Sequence, residues 1–277
     1  MKFDMSQAWN DALALLKGNL SMIAIVAGVF FFLPYALLAV VAPEAATGMA
    51  AGGQPAPDDF DAIMEQSLAL YSENWWLFLL VGLLQGIGMI SLLALLTDRS
   101  RPTVGDAIGF GVKALLPYIG TALLTGLVFV LAIGVPVGIA AATGSTALIA
   151  IVGLLAFVGG IYLYTKLSLT APVIGIERIM NPVKVIGRSW QLTKGNSLRL
   201  FLFYFLLILV FGVVSIVIGM VFGLVMAIFG PQGAAIGTGI SSGLINAVFV
   251  CIFLAVLAAI HGQLSGGSSE GISETFD

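Results

Sequence analysis

The sequence is poor in almost everything that soluble chemistry uses. Its 277 residues contain one cysteine, one histidine and only 25 charged side chains, eleven basic and fourteen acidic. The lone Cys251 excludes an intrachain disulfide and leaves the redox compartment unreadable. With a single His261 and no second His or Cys at ligand spacing, a zinc site of the usual kind is excluded as well. Charged residues make up 9% of the chain, against roughly 25% in an ordinary soluble domain. A water-facing exterior cannot be assembled from so few. No cofactor, metal or catalytic constellation is legible, and neither an enzyme nor a nucleic-acid partner is expected.

What the chain has instead is apolar length. Hydrophobic residues account for 60% of the sequence, and the mean hydropathy is +1.11. Six runs reach the roughly 20 residues needed to cross a bilayer: 20–42, 75–96, 114–142, 146–176, 200–229 and 234–260. They are apolar all round rather than alternating, so helices are expected and a barrel is not. The first run is too long, and lacks the small-residue exit, to read as a cleaved signal peptide.

Few as they are, the basic residues are informative. Lys2 and Lys17 precede the first run; Arg99, Arg101 and Lys113 lie between the second and third. Lys166, Arg178, Lys184, Arg188, Lys194 and Arg199 surround the link between the fourth and fifth. Six spans put all eleven on one side. Glu44, Asp58, Asp59, Asp61, Glu65 and Glu73 fall on the other. By the positive-inside rule both termini are expected in the cytoplasm.

Three segments repeat one layout: SQAWNDALALLKGNLSM, RPTVGDAIGFGVKALLPYIG and NPVKVIGRSWQLTKGNSLRL. Each has a start signal, about twelve residues of amphipathic pattern, a lysine (Lys17, Lys113, Lys194) and then a span. The expectation is an all-α integral membrane protein of six transmembrane helices in three hairpins, each preceded by an amphipathic cytoplasmic-surface helix. The chain reads as a single membrane domain with repeats 1–97, 98–177 and 178–262, followed by a flexible tail, 263–277. On the opposite side, 44–59 reads as a flexible loop. Phe60, Ile63, Met64, Ser67, Leu68 and Tyr71 then mark an amphipathic helix whose Asp58, Asp59, Asp61 and Glu65 form a solvated face, not a calcium loop.

The third surface segment is the most basic. From Pro182, Val183, Ile186 and Trp190 share one helical face, and Lys184, Arg188 and Gln191 another. That pattern describes a helix lying in the membrane interface, with Arg178, Lys184, Arg188, Trp190 and Lys194 as candidate contacts for lipid, including anionic lipid, or for a protein partner. Within the spans, ionisable residues would mark a pathway. Lys166 and Glu177 are the candidates. Lys166 either reaches the interface beside Tyr162 and Tyr164 or pairs with Glu177 in a cavity. Glu177 and Arg178 read as a local charge pair, and His261 as an interfacial residue. Pro34, Pro117, Pro136 and Pro172 can kink helices or free carbonyls. Gln85, Thr121, Thr125 and Asn246 can supply hydrogen bonds. The glycine pairs 82/86, 134/138, 219/223 and 239/243 signal close helix packing, within the chain or in a homo-oligomer.

The run LTAPVIGIERIMNPVKVIGRSWQLTKGN carries Ala171, Pro172, Glu177, Pro182, Arg188, Ser189, Trp190, Lys194 and Gly195. It resembles a bacterial family: the membrane domain attached to some glycerophosphoryl diester phosphodiesterases, and the related YciC-like membrane proteins. Ile186-Gly187 departs from the pattern, where an Ala is expected before Arg-Ser-Trp. The resemblance implies a multi-span protein of the bacterial cytoplasmic membrane. It carries over no activity, because the phosphodiesterase chemistry belongs to a separate soluble domain. The resulting expectation is a non-enzymatic protein that organises lipids or partner proteins. The alternative is a transporter or lipid translocator with a cavity between the hairpins.

Overall fold

The computed structural model describes residues 2–41, 60–97 and 102–266. Among them the chain is all helix, and six helical segments are long and apolar enough to cross a membrane: Leu20–Leu38, Ser72–Thr97, Val104–Ala142, Thr146–Gly175, Ser197–Met226 and Gly239–Ser265. The protein is an all-α, multi-pass membrane protein. The loop expected before Phe60, with Glu44, Asp58 and Asp59, lies outside the described residues, as do Asp98, Arg99, Arg101 and residues 267–277.

The chain begins with α1 (Met5–Gly18), capped by the Asp4 carboxylate, which accepts from the Gln7 amide. Span 1 follows as α2 (Leu20–Ala27), a π turn (Gly28–Phe32) and α3 (Leu33–Val41). Then come α4 (Phe60–Thr97), α5 (Val104–Phe129), a second π turn (Val130–Gly134) and α6 (Val135–Ala142). α7 (Thr146–Leu167) forms most of span 4, followed by the short α8 (Thr170–Gly175), the surface helix α9 (Pro182–Leu192), α10 (Ser197–Ala227) and α11 (Gly230–Ser265). In α4 the acidic segment joins its span through a non-helical Asn74, φ −114° and ψ 18°.

Both π turns directly precede a proline, Pro34 or Pro136. A proline ring clashes with the carbonyl four residues back, and widening that turn moves the carbonyl aside. The Leu33 amide accordingly bonds to Gly28 and the Val135 amide to Val130, each five residues back. The widened first turn has a use. Asn246 Nδ2 of α11 donates to the Phe31 carbonyl at 3.2 Å, which ties span 6 to span 1 inside the apolar core.

The repeats differ in one informative respect. The first and third surface helices end at Lys-Gly-Asn. Gly195 takes φ +82°, and Asn19 and Asn196 stand non-helical at the start of the next helix. In the second repeat Lys113 is followed by Ala114-Leu115. Nothing there breaks the helix, so α5 runs unbroken from surface segment into span. Val104–Ala142 comprises 39 residues, roughly 58 Å at 1.5 Å per residue. That is far longer than the hydrocarbon core, so one end projects beyond it. Its N-terminus carries a reciprocal capping box, Thr103 Oγ1 with the Asp106 amide and Asp106 Oδ2 with the Thr103 amide.

Spans 2 and 6 form the centre, with span 1 beside them. Just over half of each central segment is enclosed (56%), whereas the most apolar windows of spans 3, 4 and 5 are not enclosed at all. The core is built of Phe31, Ile90, Leu92, Leu93, Leu254, Leu257 and Ile260. Large apolar side chains on the outer spans, such as Leu127, Leu155, Phe157 and Val210, stay exposed, as a lipid-facing surface demands. The glycine pairs divide. Gly86 lies under the Tyr118 ring and Gly243 against the Phe32 carbonyl, but Gly82, Gly138, Gly219 and Gly223 have no neighbour in the position a Cβ would take.

Four parts of the sequence meet at one end of this bundle. The Phe3 amide donates to Asn196 Oδ1 at 3.0 Å, and the Asp4 amide to Gln263 Oε1 at 3.3 Å. Arg178 lies over the Phe110 ring, 5.0 Å from its centre. The start of the chain, the region 178–196 and the end of α11 are thereby joined at that end.

Candidate functional site

The third surface helix is held there by its own sequence. Asn181 Oδ1 accepts from the amides of Val183 and Lys184, both at 3.1 Å, and Pro182 occupies the first turn. An Asn cap followed by proline is a strong helix start. At about 100° per residue the helix then presents three faces rather than two. Val185, Ser189 and Leu192 are buried against the bundle. Lys184, Gly187 and Gln191 are exposed with polar or bare character. Val183 and Trp190 are large, apolar and exposed, 68% and 38%. Sequence patterning found the basic face and the Val183–Trp190 face. It missed the buried one, because a serine at its centre does not read as core.

The consecutive residues Arg188, Ser189 and Trp190 are three separate anchors. Arg188 Nε donates to both oxygens of Glu177, at 3.0 and 2.9 Å. Ser189 Oγ donates to the Lys166 carbonyl at 2.8 Å and accepts from the Leu169 amide at 3.2 Å. It thus satisfies backbone groups exposed where α7 ends, which would otherwise be costly in a buried position. Thr193 Oγ1 lies 3.4 Å from the same carbonyl. Trp190 packs edge-on against Tyr162, ring centres 5.9 Å apart.

Glu177 also receives a third bond, from His261 Nε2 of α11 at 2.9 Å. The histidine side chain is only 5% exposed, so it is a buried member of a Glu177–Arg188–His261 knot. Nor does Glu177 pair with its neighbour Arg178, which stands over Phe110 at φ +56°. One carboxylate therefore joins the 176–181 connection, the surface helix and the last span. Partial burial of Glu177 works against its ionisation. The hydrogen bonds and positive charge of Arg188, with the bond from His261, outweigh that and hold its pKa below the ordinary glutamate value.

The sign of that shift fixes a pH dependence. A depressed folded-state pKa contributes stability that is complete above the unfolded value, here 4.5, and is lost as pH falls through the lower folded value. Thermal melts of the detergent-solubilised protein are expected to lose part of their midpoint as pH falls below about 4.5, with a visibly smaller loss over that range in Glu177→Gln.

The structure separates the two residues expected to share a pathway. Lys166 lies 20 residues into the helix that starts at Thr146, roughly 30 Å along it, so it reaches the far end of the span. It does not pair with Glu177. Its ammonium sits 5.5 Å from the centres of both the Tyr162 and Trp190 rings. Of the other expected contacts, Lys184 and Lys194 are exposed, while Arg188 is committed to the knot. Among the described residues no group of three or more His, Cys, Asp or Glu side chains is placed to hold a metal. A cavity of about 380 Å³ opens between spans 4 and 5, lined by Phe157, Gly160, Ile161, Tyr164, Tyr204 and Phe205 among others.

Comparison of the chain with protein-family models, curated proteins and solved structures finds no significant match.

Proposed function

We propose that this multi-pass membrane protein is a non-enzymatic organiser of lipid at the bacterial cytoplasmic membrane, acting through the surface helix Pro182–Leu192. The observation that carries the reading is the helix's three-way division. One face is locked to the bundle, one is polar and carries Lys184, and one presents Val183 and Trp190 outward. A helix built only to cover the bundle has no need of the third face, which suits burial in the acyl and headgroup boundary. The positive-inside rule assigns the basic end to the cytoplasm. The residues that resemble the phosphodiesterase-linked membrane domain support the same view. Glu177, Arg188, Ser189, Trp190 and Gly195 each have a positioning task, which makes the pattern a docking device for the helix. The polar groups that could serve catalysis, Glu177 and His261, are bonded to one another.

Spin-labelled lipids in proteoliposomes test this. Phosphatidylglycerol is expected to show a larger motionally restricted fraction than phosphatidylcholine at equal mole fraction, and the excess is expected to shrink in Lys184→Gln. Equal fractions for the two lipids would sink the reading.

The cavity between spans 4 and 5 favours a second reading, because those spans belong to different hairpins. Its lining is apolar apart from Tyr164, Thr165 and Tyr204, which suits an acyl chain and not an ion. A lipid translocator built on it would move fluorescent phospholipid between leaflets of reconstituted vesicles faster than protein-free controls do. Organisation without transport leaves the two rates equal.

A further inference from the structure

Among the described residues, Lys166 is a buried cation without a counter-charge. Only 3% of the residue is exposed, and lysine is almost never buried so far unless it is paired. Among the described residues the ion pairs are those of Glu177 with Arg188 and His261, and neither reaches Lys166. What surrounds the ammonium is aromatic: Tyr162, one helical turn before it, and Trp190 from the surface helix, each 5.5 Å away. Two rings offset only part of the cost of removing an ammonium from water. The positive charge of Lys194 also acts on Lys166. Among the described residues the sealed, unpartnered polar atoms are Gln85 Nε2, Thr125 Oγ1 and Gln263 Nε2. Lys166 Nζ is not one of them, so the notch opens outward at the ammonium. Its backbone is fixed as well, through the Lys166 carbonyl that Ser189 and Thr193 hold.

We infer that Lys166 and Lys194, framed by Tyr162 and Trp190, form a binding site for a phosphate group. A phosphate would bring the negative charge that the two lysines lack and would accept a hydrogen bond from the Lys166 ammonium. The place suits a lipid. Lys166 lies at the end of a membrane span, Trp190 and Tyr162 are residue types that favour the headgroup level, and the Val183–Trp190 face adjoins the notch. The inference deepens the proposed lipid-organising role and rests on it for the source of the phosphate, though not for the site itself.

Native mass spectrometry of the full chain from nanodiscs tests it. Equimolar phosphatidylglycerol and phosphatidylcholine would serve as probes, and inorganic phosphate would be added separately to lipid-stripped protein. One retained phosphatidylglycerol is expected per chain. Its occupancy is expected to fall about fivefold in Lys166→Met and in Lys194→Gln, and to recover in Lys166→Arg. Lys194 is exposed, so its variant reads the site even if Lys166→Met folds poorly. Lys166-dependent adducts of inorganic phosphate without lipid selectivity would keep the site and assign it to a free phosphate. Selective phosphatidylglycerol retention indifferent to both lysines would overturn the site and leave the lipid-organising reading standing. Absence of any phosphate or phospholipid adduct would overturn both.

Discussion

Glu177→Ala is expected to release the surface helix without unfolding the six spans. The substitution removes the acceptor of three hydrogen bonds at once, two from Arg188 and one from His261. The consequences for the donors differ. Arg188 is 37% exposed and can turn to water, so its half of the knot counts only as a partly screened pair. His261 is 5% exposed and loses its described partner in a buried place, which is the costlier change. A total of about 2 kcal/mol follows. It should appear as a lower melting temperature in detergent, and as cleavage between 176 and 196 by a protease that leaves the wild type intact. Glu177→Gln keeps an acceptor oxygen and should lose less. If Glu177→Ala melted and resisted cleavage like the wild type, the knot would not be what holds the helix.

A larger effect is expected at Gly88→Leu. A Cβ at Gly88 would stand 2.5 Å from Phe30 Cβ and 2.8 Å from Phe31 Cε1, closer than side-chain carbons come. Neither ring can move far. Both belong to the π turn that Pro34 imposes, Phe31 is fully buried, and its carbonyl is tied to Asn246. Spans 1, 2 and 6 thus meet at a point with no slack. Overpacking there costs about 3 kcal/mol or more, enough to lower the yield of folded protein severely. Gly219→Leu is the matched control. The position a Cβ would take has nothing within 4 Å, so a change within about 0.5 kcal/mol is expected. Similar losses from both would mean that Gly219 also packs, against another copy of the chain.

How much of this was legible beforehand depended on the range of the interaction. Span count and helical class follow from hydropathy, which each segment carries by itself. The Lys-Gly-Asn shared by the first and third repeats turned out to break the helix, and its absence after Lys113 is a local reason for α5 to run on, although a separate surface helix was expected there too. The knot was not legible in the same way. Glu177 and Arg188 are 11 residues apart, but His261 lies 84 residues from Glu177, and only the packing of α11 against the surface helix brings it in. Lys166 illustrates the reverse case. Its position at a span end could be counted from Ser145, but the aromatic notch around it needs Trp190 from another helix, so pairing with Glu177 stayed open as the alternative. The divided glycine pairs have the same cause, since spacing shows which residues share a face but not what that face meets.

The account stands on the three faces of the Pro182–Leu192 helix. Site-directed spin labelling tests them most directly, with single cysteines at 183, 184, 185, 187 and 191 in a Cys251→Ser background reconstituted in lipid. Collision with oxygen, which concentrates in the bilayer, is expected to peak at 183. Collision with a water-soluble nickel chelate is expected to peak at 184, 187 and 191, and 185 should be shielded from both. High nickel collision at 183, equal to that at 184, would contradict the account and put the whole outer surface of the helix in water.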